Sequence, residues 1–181
     1  MNRIRNIIAI IAAIVSLNGN TASALTAMYT DLGVTNINSS FKTWMDYGKI
    51  ANESSAQYKF IKKWGWVDKE GFMRCSAETD LGVTDDYYLV ALGSYYGTNI
   101  GTKYKITTDT GNVFYVALAE HKADIHTNST HQYGLDNNDV LEFLIDDKRL
   151  NKLVMIMGSA NVYMPLNGSI VKIEQMEFVR N

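Results

Sequence analysis

The sequence predicts a mainly β domain, a small barrel of about six strands carrying a helical prefix. Three observations point there. Short apolar runs with period-two alternation are punctuated by Gly, Asn and Asp; helical spacing is concentrated before residue 66, with one helix interposed among the later strands; and helices do not alternate with strands as in a parallel α/β sheet. Composition agrees: 181 residues, 46% hydrophobic and 20% charged, with 13 Gly and a single Pro, exclude collagen-like, low-complexity and disordered classes.

Residues 1–24 read as an export signal. Arg3 and Arg5 precede the apolar run from Ile7 to Leu17, and Ala22 and Ala24 supply the small side chains of a cleavage site near Ala24. That run is shorter than the roughly 20 apolar residues that span a hydrocarbon core, so no stable membrane anchor is expected after cleavage. The expected location is secreted or extracytoplasmic. Residues 25–38 are polar and aperiodic and read as an N-terminal arm; residues 39–181 read as one globular domain, with the helical prefix over 39–65 and the barrel over 66–181.

Within the prefix, Phe41, Trp44 and Met45 stand at i, i+3 and i+4 behind Ser39 and Ser40, predicting a short helix that ends near Gly48. Ser54 and Ser55 open a second helix, with Tyr58, Ile61 and Trp64 on one side and Gly65 as its stop. Aromatics at this spacing read as core, with an exposed sugar-stacking platform as the alternative. Beyond Gly65 the period becomes two. A hairpin is predicted around residues 68–71, a strand over 87–92 ending at Gly93, and a second hairpin of 103–108 and 112–119 around Asp109-Thr110-Gly111. A strand over 140–145, a helix over 149–157 closing at Gly158, and a last strand over 170–178 with a bulge before Met176 complete the chain.

A formal net charge of −2, from 17 Lys and Arg against 19 Asp and Glu, leaves no basic footprint for a nucleic-acid partner. The lone Cys75 excludes an intrachain disulfide and a CxxC zinc site, and is expected to be buried. No G-x-G-x-x-G, Walker A, G-x-S-x-G or H-E-x-x-H pattern occurs, so no cofactor is expected.

Chemistry concentrates in residues 117–146. All 3 histidines of the chain, His121, His126 and His131, lie there with Glu120 and Asp124, and Glu142 follows on the next predicted strand beside Asp136, Asp139, Asp146 and Asp147. A strand end, a polar loop and a returning strand would bring these groups to one rim of the barrel, where loops on a rigid scaffold carry function. Two crowded carboxylates make an acid/base pair, since crowding raises the pKa of one so that it can donate a proton; Asp124 is the candidate acid, Glu142 its partner and His126 an orienting group. Metal binding by His121, Asp124, His126 and His131 is the competing chemistry, but H-x4-H spacing suits neither a helix nor a strand. A solvated surface loop would carry the same residues.

Residues 88–106 resemble the opening of the 3D (three-aspartate) domain, with Ile100-Gly101-Thr102-Lys103-Tyr104 fitting its hydrophobic-G-T-K-hydrophobic element. Ala119-Glu120-His121 and Val140-Leu141-Glu142-Phe143-Leu144 echo its later segments. The second family aspartate falls at His121 or, with a shift, at Asp124, and the third becomes Glu142; the first has no counterpart near Leu92. The resemblance covers roughly residues 85–150 and implies a six-stranded double-psi-like β-barrel, related to membrane-bound lytic transglycosylase A, rare lipoprotein A and expansins.

It further implies lytic-transglycosylase-like cleavage of peptidoglycan glycan strands by a monomer, an acid protonating the glycosidic oxygen. Non-catalytic wall-binding modules share that barrel and are the alternative, as is a secreted interaction protein using it as scaffold. Tyr95, Tyr96 and Tyr133, with His121 and His131, are the candidate substrate-binding residues, because aromatic faces stack on the apolar side of a sugar ring.

Overall fold

The computed structural model describes residues 7–9, 25–34, 38–78 and 84–180. The export signal falls outside the described residues except for β1 (Ile7–Ala9), which pairs antiparallel with β2 (Leu25–Asp31).

The protein is mainly β. Further strands are β3 (Lys42–Asp46), β4 (Gly65–Val67), β5 (Met73–Glu78), β6 (Thr84–Gly93), β7 (Lys103–Thr108), β8 (Val113–Lys122), β9 (Leu141–Ile145) and β10 (Ile170–Arg180). Helices α1 (Ala56–Trp64) and α2 (Lys152–Met157) join them. Among the described residues these strands form one mixed sheet in the order β1-β2-β10-β7-β8-β6-β5-β4, with β9 added to β6 and β3 to β9. This path does not close on itself. The pairs β6–β8 and β3–β9 are parallel and the rest antiparallel.

Alternation along the central strands feeds two cores. Tyr88, Val90 and Leu92 of β6 join Phe114, Val116 and Leu118 of β8 and Phe143 of β9 in one core. Tyr87, Leu89 and Ala91 join Ala117, Ala119 and Leu144 in the other. Strands buried on both faces read as continuous apolar runs, which is why residues 87–92 and 140–145 stand out in the sequence. The first core centres on Phe143, whose ring meets Phe72 and Tyr88 edge-on at 5.4 Å. Helix α1 starts where Ser55 Oγ accepts from the Tyr58 amide, stops at Gly65, and buries Ile61 in the second core. Cys75 is buried there as expected, and burial pushes its thiol up to about 11, which keeps it an inert thiol.

Three sequence expectations are corrected. The arm over 25–38 contains β2, which pairs with β10 along its whole length. The first prefix helix is instead β3: it lies parallel to β9, with Trp44 packed against the first core and Met45 against the second, so the apparent i, i+3, i+4 spacing is a two-sided strand. The irregularity in β10 falls at Val171, between Ile170 and Lys172, rather than before Met176.

Lys42 begins β3 fully buried, with its ammonium donating to the carbonyls of Ser40 and Gly168 and to Asn161 Oδ1. Burial lowers its pKa from 10.5 to about 8, partly opposed by Asp109. Below pH 8 the lysine is charged in both folded and unfolded chains and its desolvation cost is fully present. Between about 8 and 10.5 the unfolded chain binds more protons, so stability rises with pH. The stability difference between wild type and Lys42→Met, measured by urea unfolding from pH 7 to 10.5, is expected to shift in favour of wild type by on the order of 3 kcal/mol. A pH-independent difference would show that the ammonium carries no such cost.

Candidate functional site

Four strands place one row of side chains on the second-core face. Thr43 of β3 lies beside Glu142 of β9, Glu142 beside Ala91 of β6, and Ala91 beside Glu120 of β8. Directly paired positions share a sheet face, so the two glutamates flank Ala91 with their Cα atoms two strands, or roughly 10 Å, apart. The methyl of Ala91 leaves the space between them open. Glu120 reaches this row through a bulge: Val90 pairs with Leu118 but Ala91 with Glu120, so Ala119 is the extra residue. With regular pairing Ala119 would face Ala91 and the Glu120 side chain would point to the opposite face.

The row floors a cavity of about 280 Å³ lined by Thr43, Ala91, Glu120, His121, His126 and Glu142, among others. The Glu142 carboxyl is held above the usual carboxylate range. Burial is the main cause, the negative charges of Asp139 and Glu120 add to it, and Lys122 and Lys49 oppose it. Glu120 Oε1 accepts from Gln57 Nε2 of α1 at 3.2 Å and from the His121 amide at 2.9 Å, which fixes its carboxylate.

Asp139 anchors the loop between β8 and β9. Only 1% exposed, it accepts from Lys122 Nζ at 2.6 Å and from Thr43 Oγ1. Its amide donates to Asn137 Oδ1, and its carbonyl accepts from the Gly134 amide. At the loop's other side the His131 carbonyl accepts from the Tyr95 amide and lies 2.0 Å from where a Cβ on Gly93 would stand. Only glycine allows that approach.

The structure brings His121, His126 and Glu142 of the candidate set to the cavity. Asp124 is not among the lining residues. Its Oδ1 accepts from Ser94 Oγ at 2.6 Å and lies 3.5 Å from His131 Nδ1, so the companions of Glu142 are Glu120 and Asp139 instead. His131 Nδ1 also bonds Thr127 Oγ1, closing the loop on itself. The three candidate tyrosines are not among the residues lining the cavity. Tyr96 is 2% exposed in the first core, and Tyr95 and Tyr133 pack half-buried against that core. The histidines and Asp124 do not converge on a metal position; among the described residues the one such group is Asp46, Asp146 and Asp147. Asp46 already accepts there from the Gly48 and Asp147 amides.

Glu120, Ala91, Thr43, Lys122 and Asp139 complete the site beyond the candidate set. Asp139 was visible in sequence as part of an acidic run, but nothing there marked it as buried. Compared with protein-family models, curated proteins and solved structures, the chain matches none.

Proposed function

We propose that this chain is a secreted cell-wall-active protein that cleaves peptidoglycan glycan strands in the manner of a lytic transglycosylase, with Glu142 as its proton donor. The observation that carries this reading is a carboxyl whose pKa burial raises, at the floor of an open cavity and facing a second carboxylate across an alanine. A group poised that way donates a proton near neutral pH.

Glu142 protonates the glycosidic oxygen as the C1–O bond breaks. The same sugar's C6 hydroxyl then closes on C1, and its proton returns to Glu142, so an anhydro end forms and no water is consumed. Glu120, oriented by the hydrogen bonds it accepts from Gln57 and the His121 amide, stabilises positive charge developing on the ring. His121 and His126 border the cavity as sugar-hydroxyl partners. The same reading takes the central strands as the double-psi-like barrel; the parallel pair β6–β8, joined with no α-helix between, supports it. Export with cleavage near Ala24 and a monomeric state belong to this proposal as well. Among the described residues no helix is long and apolar enough to cross a membrane.

The test incubates the secreted protein with insoluble peptidoglycan and analyses the soluble fraction by mass spectrometry. Anhydro-sugar ends are the expected product. Pelleting with the wall and releasing nothing would make the chain a binding module, and neither pelleting nor release would remove the wall from its function altogether.

A further inference from the structure

Lys42 does not line the cavity at Glu142, yet it is a primary amine 0% exposed at the start of β3. Its ammonium has three protons and meets three acceptors: the Ser40 and Gly168 carbonyls, and Asn161 Oδ1 at 3.0 Å. Two of these belong to the backbone. The third belongs to a side-chain carboxamide, whose carbonyl carbon lies one bond beyond the contacted oxygen.

Both partners are held in place. Ser159 Oγ accepts from the Lys42 amide at 3.3 Å and from the Asn161 amide at 3.2 Å, so one hydroxyl ties the two backbones together. The Asn161 backbone carbonyl accepts from Asn167 Nδ2, and Asn161 Oδ1 accepts a second bond, from the Gly168 amide at 2.9 Å. That amide polarises the carboxamide and stands where negative charge would gather on its oxygen, as an oxyanion-hole donor does. Leu141, paired directly with Lys42, is fully buried, as are Ala160, Leu166 and Ile170 along the segment that carries Asn161. Such surroundings exclude water, so attack by the amine meets little competition from hydrolysis.

We propose that Lys42 and Asn161 join in an intramolecular amide bond, formed by the folded chain itself. Lys42 reacts as the neutral amine, which burial makes the larger fraction above about pH 8, and Asp109 is the carboxylate whose charge opposes that loss. With one proton gone, the amine keeps two donors for the backbone carbonyls and turns its lone pair to where the third proton stood, toward the Asn161 carboxamide. Nζ bonds to Cγ, the oxygen takes up charge beside the Gly168 amide, a proton passes from Nζ to Nδ2, and the Cγ–Nδ2 bond breaks. Ammonia leaves and a secondary amide remains, so no oxidant, cofactor or second substrate enters. Holding amine and carboxamide together in advance is what brings so slow an exchange within reach.

The bond would tie β3 to the segment before β10 and close the long loop between residues 42 and 161, the kind of cross-link that most restricts an unfolded chain. The lone Cys75 leaves no intrachain disulfide for that purpose. The unlinked chain is the one whose Lys42 titrates, and formation of the bond is independent of what the cavity at Glu142 binds.

The test incubates the freshly secreted chain above the pKa of Lys42, at about pH 9, and follows its intact mass, with tryptic peptides sequenced by tandem mass spectrometry. The expected product is lighter by about 17 Da, the mass of ammonia. It yields one branched peptide joining Lys42 to Asn161, with no cleavage after Lys42. Lys42→Met and Asn161→Ala are each expected to keep full mass, and wild type unfolded in guanidinium to remain unlinked. A wild type native by circular dichroism that keeps its mass and is cut after Lys42 would overturn the bond, whatever the variants do. The same loss without the branched peptide would overturn it too, since a succinimide at Asn167-Gly168 also expels ammonia. Linkage in the unfolded chain would remove the fold from the reaction.

Discussion

Glu142→Gln is expected to slow glycan release by about 10²–10⁴-fold, the usual contribution of a positioned general acid. The same change is expected to leave the protein as stable as wild type or more so. The carboxyl's folded pKa is raised by burial and by Asp139 and Glu120, so folding favours its protonated form. At pH values below the unfolded pKa the group is neutral in both states and costs nothing. As pH rises through the raised folded value the unfolded chain has already released its proton, and the buried charge lowers stability. Glutamine carries no such charge, so its advantage in melting temperature over wild type is expected to grow from pH 4 to pH 8. Activity of the wild type is expected to fall on its alkaline side as Glu142 ionises, with an apparent pKa above that of an ordinary glutamate. A variant that turns over normally would place the acid elsewhere. One that melts well below wild type at neutral pH would make Glu142 a structural group, since residues kept for function commonly cost stability.

Asp139→Ala carries the largest expected loss of stability. Removing one member of a buried ion pair leaves the other charge without compensation, here the Lys122 ammonium whose side chain is 8% exposed. That costs about 3–5 kcal/mol, or roughly 10 °C in melting temperature for a chain of this size. Thr43 loses its partner in the same substitution, so the side-chain ties from the loop over 123–139 to both β8 and β3 are cut. Replacing both charges, as Lys122→Met with Asp139→Leu, is expected to recover much of the loss in calorimetry, because neither charge is then stranded. Equal melting of wild type and Asp139→Ala would mean the pair is solvated in solution.

The parts of the fold legible in the sequence are those where one local signal dominated. Helix α1 has a capping serine, an apolar face and a terminating glycine within a dozen or so residues, and it forms where expected. The hairpin of β7 and β8 announces itself by alternation around Asp109-Thr110-Gly111. Strand β3 was not legible, because Trp44 and Met45 serve opposite cores and only the long-range pairing with β9 distinguishes that from a helical stripe. Strand β2 was missed because its residues, LTAMYTD, lack a strict period-two alternation and gain their order from β10. The site divides likewise. Glu142 could be placed on a strand from its apolar neighbours. Glu120 could not be placed beside it, because the single extra residue at Ala119 that turns it inward has no sequence signature. Asp124 sits in a loop whose geometry is set by the contact of the His131 carbonyl over Gly93, a close approach no local pattern encodes.

The pairing of β2 with β10 and of β3 with β9 has a kinetic corollary. Both ladders join segments from opposite regions of the chain, Leu25 with Arg180 and Lys42 with Leu141. Loop-closure entropy must be met before such contacts yield any return, so folding is expected on the millisecond-to-second scale of high contact order chains. The β3–β9 ladder cannot begin until Leu141 has been made, nor the β2–β10 ladder until Glu174 has. A chain held open this long completes its sheet late. Its last step is the zipping of its two ends, so a nick or truncation near either end should unlatch the sheet along β2 first.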